Sequence, residues 1–196
     1  MFILASSSKR RIEILSRYIK FENITYPIEE NNLDYMNSHQ LAMSLAFEKA
    51  IEISSRHPDD IVLAADTVVD CKGHIIGKPK DRQDAFNILK ELSGSFHKVI
   101  TGYCLLNQNK NIKYCDYEES RVHFVDLDDQ MINDYLDEAE YLDKAGAYGI
   151  QEEGGGFVKE IENDFDNIVG LPIKKISKDI KRLFDIDIME DSIGSE

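Results

Sequence analysis

No run of apolar residues in this 196-residue chain approaches the roughly 18 needed to span a bilayer. The apolar start, Phe2-Ile3-Leu4-Ala5, is far too short for the apolar region of a signal peptide. The expected location is therefore the cytoplasm, with no membrane partner. Cysteine is scarce: Cys71, Cys104 and Cys115 are odd in number and show no C-x-x-C spacing. Neither a disulfide framework nor a zinc knuckle is indicated, and the three are expected as reduced, mostly buried thiols. Basic residues are outnumbered, 23 against 37 acids for a net charge of −14, so most of the surface repels polyanions and long nucleic acid is excluded as a partner. The five histidines do not fall at metal-ligand spacing; His39, His57 and His74 read as exposed, His97 and His123 as structural members of a strand pair. A serine-hydrolase elbow of the G-x-S-x-G type is also missing. No internal repeat or clear linker divides the chain. With 42% hydrophobic and 31% charged residues it can bury a sizeable core over residues 1–184, as one domain or two lobes sharing a cleft. Residues 185–196, with five acids and no basic residue, read as a frayed tail.

The scarce positive charge is concentrated at the start. The first twenty residues hold Lys9, Arg10, Arg11, Arg17 and Lys20 against Glu13, so they carry +4 while the remainder carries −18. A short apolar strand runs directly into Ser6-Ser7-Ser8-Lys9-Arg10-Arg11 and then an amphipathic run ending near Ile19. A helix beginning near Ser8 exposes free N–H groups and a positive dipole end there, where lysine and arginine are unfavourable unless an anion offsets them. Strand, small polar turn and helix N-terminus make a site for phosphate, and adjacent arginines add forked donors. The competing reading is a solvated helix start.

Strands and helices alternate along the chain. A second strand is predicted at 23–28, a helix at 38–55, strands at 97–106 and 112–125 joined as a hairpin, helices at 81–92 and 128–136, a strand at 157–161 and a last helix opening at Pro172. Residues 144–151 and 154–156 read as small-residue and glycine segments able to approach a ligand. In the 38–55 helix, Ala42, Leu45, Ala46 and Ile53 mark an apolar stripe with Lys49 in its middle. A lysine facing inward needs a partner; the competing reading, which spacing alone favours slightly, is a snorkelling side chain. Ile61-Val62-Leu63-Ala64-Ala65 is the strongest strand signal, and Asp66-Thr67 interrupt it before Val68-Val69 resume. A carboxylate in a buried strand costs several kcal/mol unless it is paired, hydrogen-bonded or bound to a cation. Asp66 is therefore the first candidate for a catalytic or metal-binding carboxylate. The basic loop Gly77-Lys78-Pro79-Lys80 is no P-loop, because the glycine spacing is wrong and Pro79 replaces the hydroxyl residue.

Together, Leu4 through Arg11, Ala65-Asp66-Thr67-Val68-Val69, Gly77-Lys78-Pro79, Leu92-Ser93-Gly94 with His97, Asp143 through Gln151, and Val169-Gly170-Leu171-Pro172 stand in the order found in the Maf family. The resemblance spans nearly the whole chain. It implies an α/β fold, with a central mixed twisted sheet, flanking helices and two lobes around a deep cleft. It also implies a cytoplasmic nucleoside triphosphate pyrophosphatase that releases a monophosphate and pyrophosphate. On it, Asp66 is the proton acceptor, and Ser8, Arg10, Arg11, Glu30, Lys49 and Lys78 surround the phosphates and metal. Arg10, Thr67 and Gln151 resemble the branch acting on dTTP and UTP; alternatives are ITP or methylated GTP, or a non-catalytic regulator of cell division. Lys9 stands where the family commonly has proline, and Glu29-Glu30 where it has Asp-Glu. A nucleoside triphosphate cannot approach Asp66 and Glu30 without a cation, so Mg²⁺ or Mn²⁺ is expected between them. A homodimer is common in such families.

Overall fold

The computed structural model describes residues 1–26, 37–151 and 156–190. Strand β1 (Phe2–Ala5) is buried along its whole length and lies parallel to both of its neighbours, β2 (Glu22–Asn23) and β3 (Ile61–Cys71). A tight turn at Lys72 and Gly73, both at positive φ, folds β4 (His74–Ile76) back onto the end of β3. On its other edge β3 pairs antiparallel with β5 (Phe96–Asn107), which forms a long hairpin with β6 (Ile112–Phe124). Strand β7 (Val158–Glu162) closes that side, giving the order β2-β1-β3-β5-β6-β7 with β4 beside β3. The fold is thus a mixed α/β sheet, as the resemblance implies.

Two strands share one edge of β3 without meeting. Strand β1 stops at Ala5, opposite Ala64, and β4 begins its pairing at Val69. Residues 65–68 therefore have no strand on that edge among the described residues. This notch sets the position of the site, because Asp66 and Thr67 lie within it.

Alternation along the strands sends neighbouring side chains to opposite faces. On one face Leu63, Ala65, Tyr103 and Leu105 pack beneath α1 (Lys9–Ser16) and α6 (Ile173–Phe184). Farther along the same face, Val69, Cys71 and Val99 pack with α3 (Arg82–Leu92), α4 (Asp129–Glu138), Phe124 and Tyr148. The pair Thr67 and Thr101 separates these two clusters. The opposite face is covered by α2 (Ser38–Arg56), whose Ala42, Leu45, Ala46 and Ala50 lie over Val62, Ala64 and Val68. A capping box between Asn37 and Gln40 starts this helix. Gly102, paired with Asp66, lets it sit close: a Cβ there would lie 2.3 Å from the Ala42 carbonyl carbon.

Several sequence expectations change. The second strand is only two residues long and residues 27–28 lie outside the described residues. A short helix, α5 (Phe165–Val169), was not anticipated. Cys104 and Cys115 face each other in the hairpin register and are joined in a disulfide, with Cα atoms 4.1 Å apart; Cys71 is free and buried. The odd cysteine count carried no information about that register. His39 is half-buried and bonded to Glu119 at 2.7 Å, and His57 is half-buried beside Asp60, whereas His74 is exposed. At the far end Ile188 is buried and Asp187 accepts from Lys181 at 2.5 Å, so the acidic stretch begins as packed chain; residues 191–196 lie outside the described residues.

Candidate active site

The turn after β1 and the loop after β4 border the two ends of the notch, because Ser6 follows Ala5 and Gly77 follows Ile76. Ser6 is buried and organises the first: its Oγ accepts from the Ser8 backbone N–H at 3.2 Å and from Arg11 Nη1 at 3.4 Å. Ser8 then starts α1 without a side-chain cap, and the first turn of this helix contains no acid. The N-terminal N–H groups thus keep a partial positive charge suited to an anion. Arg10 reaches across to Asp143, 4.0 Å away, which precedes the 3₁₀ turn Ala145–Ala147. Burial alone would raise the Asp143 carboxyl, but the Lys144 hydrogen bond and the charges of Lys144 and Arg10 hold it below its ordinary value. The Gly146 N–H donates to Gly77 O at 3.1 Å, tying that turn to the Lys78 loop.

Asp66 and Lys49 meet on the α2 face. The Lys49 ammonium donates to Asp66 Oδ1, and the side chains are 23% and 15% exposed. The inward lysine therefore meets a carboxylate, and the strand aspartate has the partner that burial demands. On the opposite face, half-buried Thr67 accepts from Arg11 Nη2 at 2.9 Å and shares a 2.8 Å contact with the hydroxyl of buried Thr101. Arg11 Nε donates to Gly170 O at 2.8 Å. Arg11, expected on phosphate, thus braces Ser6, Thr67 and Gly170.

Lys78 is exposed in the loop after β4. Gln151 is exposed directly after Ile150, which packs against both clusters. Glu30 and the glycines at 154–155 lie outside the described residues. Sequence reasoning missed Thr101 and Asn167, and named Ser6, Asp143 and Gly170 only as members of motifs without a role of their own. One signal was present: Thr101 breaks an apolar strand as Thr67 does, and the two breaks fall opposite one another only once the register is known.

Among the described residues no three acids, histidines or cysteines gather as a metal cage. Asp66 nevertheless suits a hard cation, because Lys49 engages Oδ1 while Oδ2 has no hydrogen bond among the described residues. Magnesium commonly takes one or two carboxylates and completes its shell with phosphate oxygens and water. The site therefore combines an anion-binding helix end, a carboxylate held by an ammonium, and hydroxyl groups across the sheet.

Fold and site define an α/β protein whose break in the sheet edge has the chemistry to take a small anionic ligand. The chain belongs to the Maf-like protein family, whose model matches residues 1–183. A dTTP/UTP pyrophosphatase of Clostridioides difficile is 46% identical over 187 residues, covering 95% of this chain and 96% of the relative. A dTTP/UTP pyrophosphatase of Pyrococcus furiosus is 43% identical over 190 residues, covering 93% and 98%. Among solved structures, the Staphylococcus aureus Ham1 protein matches 64% of this chain and 72% of its own, with 12% identity and a TM-score of 0.48.

Proposed function

We propose that this chain hydrolyses nucleoside triphosphates at the α-phosphorus, releasing a nucleoside monophosphate and pyrophosphate, with dTTP and UTP as preferred substrates. The observation that carries the reading is the notch at residues 65–68 of β3. It sets a lysine-held carboxylate beside an uncapped helix N-terminus, in a chain 46% and 43% identical to two dTTP/UTP pyrophosphatases.

In this reading the triphosphate lies along the notch. Ser8 and the first N–H groups of α1 hold phosphate oxygens, with Arg10, Lys49 and Lys78 adding charge to the pyrophosphate as it leaves, while Arg11 braces the turn and Thr67. A divalent cation, Mg²⁺ or Mn²⁺, held by Asp66 and Glu30, neutralises phosphate charge when bound. Asp66 orients the attacking water and accepts its proton, and the Lys49 ammonium holds that carboxylate in place. Arg10, Thr67 and Gln151 read the base; the amide of Gln151 pairs a donor with an acceptor as a pyrimidine edge does. Nucleoside triphosphates and free magnesium place the enzyme's work in the cytoplasm.

The test is product analysis with dTTP, UTP, CTP, GTP, ITP and methylated GTP, with Mg²⁺ and with a chelator. Monophosphate and pyrophosphate from dTTP and UTP, lost on chelation, are expected. Preference for ITP or methylated GTP would keep the bond broken and discard the base assignment. No turnover of any substrate would discard the activity.

A further inference from the structure

We propose that Thr101 and the Asn167 carbonyl make Thr67 a hydrogen-bond acceptor only, so that the site selects a ring bearing an N3–H and rejects cytosine. This rests on the reading of Thr67 as a base contact and adds how the contact gets its sign.

Thr101 Oγ1 lies 2.9 Å from Asn167 O and 2.8 Å from Thr67 Oγ1, and Thr67 Oγ1 lies 2.9 Å from Arg11 Nη2. The two hydroxyls form a chain between groups of fixed polarity. A carbonyl oxygen can only accept, and a guanidinium can only donate. Thr101 gives its one proton to Asn167 O, which also accepts from the Gly170 N–H at 3.0 Å. The short contact between the hydroxyls must then be filled by the Thr67 proton, while Thr67 accepts from Arg11. Every proton in this arrangement is assigned. Thr67 is left with one unused lone pair and no proton to give.

The chain is held from both ends. Thr101 is fully buried, and Asn167 is fixed by donating from Nδ2 to Val99 O at 3.0 Å and Ser120 Oγ at 2.9 Å. Helix α5 is thereby pinned onto β5 and β6. A lone pair aimed at a ligand favours a donor and repels another lone pair. Uracil and thymine carry N3–H; cytosine at neutral pH presents a lone pair at N3 in a ring of the same size. Shape does not separate UTP from CTP, but the direction of one hydroxyl does. Thr101 touches no substrate and acts as a positioning residue.

The experiment compares kcat/KM for UTP and CTP, with kcat and KM resolved, in the wild type, T101V, T101S and T67V. Valine at 101 keeps the shape and frees the Thr67 proton to turn toward the ligand, and Asn167 O still accepts from the Gly170 N–H at 3.0 Å. CTP turnover should rise in T101V and the UTP:CTP ratio should fall at least about tenfold, with T101S restoring the parental ratio. A purely structural role would lower both substrates together, and that result overturns the proposal. If T67V leaves the ratio unchanged, the base is not read at Thr67 and the parent reading fails; if T67V changes it and T101V does not, only the relay fails. Wild-type enzyme with N3-methyl-UTP provides a check independent of folding: a loss of at least about tenfold is expected, and turnover equal to UTP would overturn the acceptor assignment.

Discussion

Acidification from pH 7.5 to 5.5 should cost this fold stability through one side chain, His97. Its ring is 1% exposed, Nε2 lies 2.8 Å from the Tyr148 hydroxyl, and Nδ1 has no hydrogen-bond partner among the described residues. Phe124 and Tyr148 meet it edge-on. Burial pushes its pKa from 6.5 down to about 4, since a charged imidazole there would lose its water and gain a second N–H with nothing to accept it. The unfolded chain binds the proton first, so folding loses free energy as pH falls from about 6.5 toward about 4 and is unaffected by this group above that range. The full window is worth about 3 kcal/mol, and the portion between pH 7.5 and 5.5 about 1.3 kcal/mol. Urea unfolding at the two pH values measures the loss. H97Q offers Tyr148 a partner that does not titrate, so the variant should lack this share of the loss. Equal losses in wild type and H97Q would refute the assignment and mean that the imidazole charges within the fold.

Other perturbations test the notch directly. D66N should lower kcat by about 10²- to 10⁴-fold in a variant that still folds; near-normal turnover in a folded variant would remove Asp66 as proton acceptor. G102A places a methyl group against the α2 backbone and should cost about 1–3 kcal/mol, with activity falling as Lys49 is displaced. Calorimetry showing wild-type stability would mean that helix and strand are not in contact there. Thiol titration of denatured protein purified without reductant should find only Cys71, and three thiols after reduction. Reduction should cost about 2–3 kcal/mol, and three thiols at the outset would show the pair to be open.

Local patterns carried much of this molecule. The hairpin of β5 and β6, the amphipathic α6 with Ile173, Ile176, Ile180 and Phe184 inward, and the odd polar pair Asp66-Thr67 in an apolar strand were legible because periodicity and the cost of burying charge act on neighbouring residues. The resemblance of six separated motifs then assigned those residues to a family. Helix α5 was not legible, since five residues with one buried asparagine make no periodic signal.

What the residues determined by themselves was the inventory: a basic, uncapped helix start, an inward lysine, and an aspartate that burial forbids to stand alone. Tertiary structure decided the pairings. Lys49 meets Asp66 because Gly102 lets α2 approach β5, and Cys104 meets Cys115 because the hairpin register sets them opposite. The same folding leaves an open edge between β1 and β4 and lays Thr101 between Thr67 and a carbonyl 66 residues downstream. Such contacts depend on strand register and helix approach, which are set by the packing of the whole core and not by any local run of sequence.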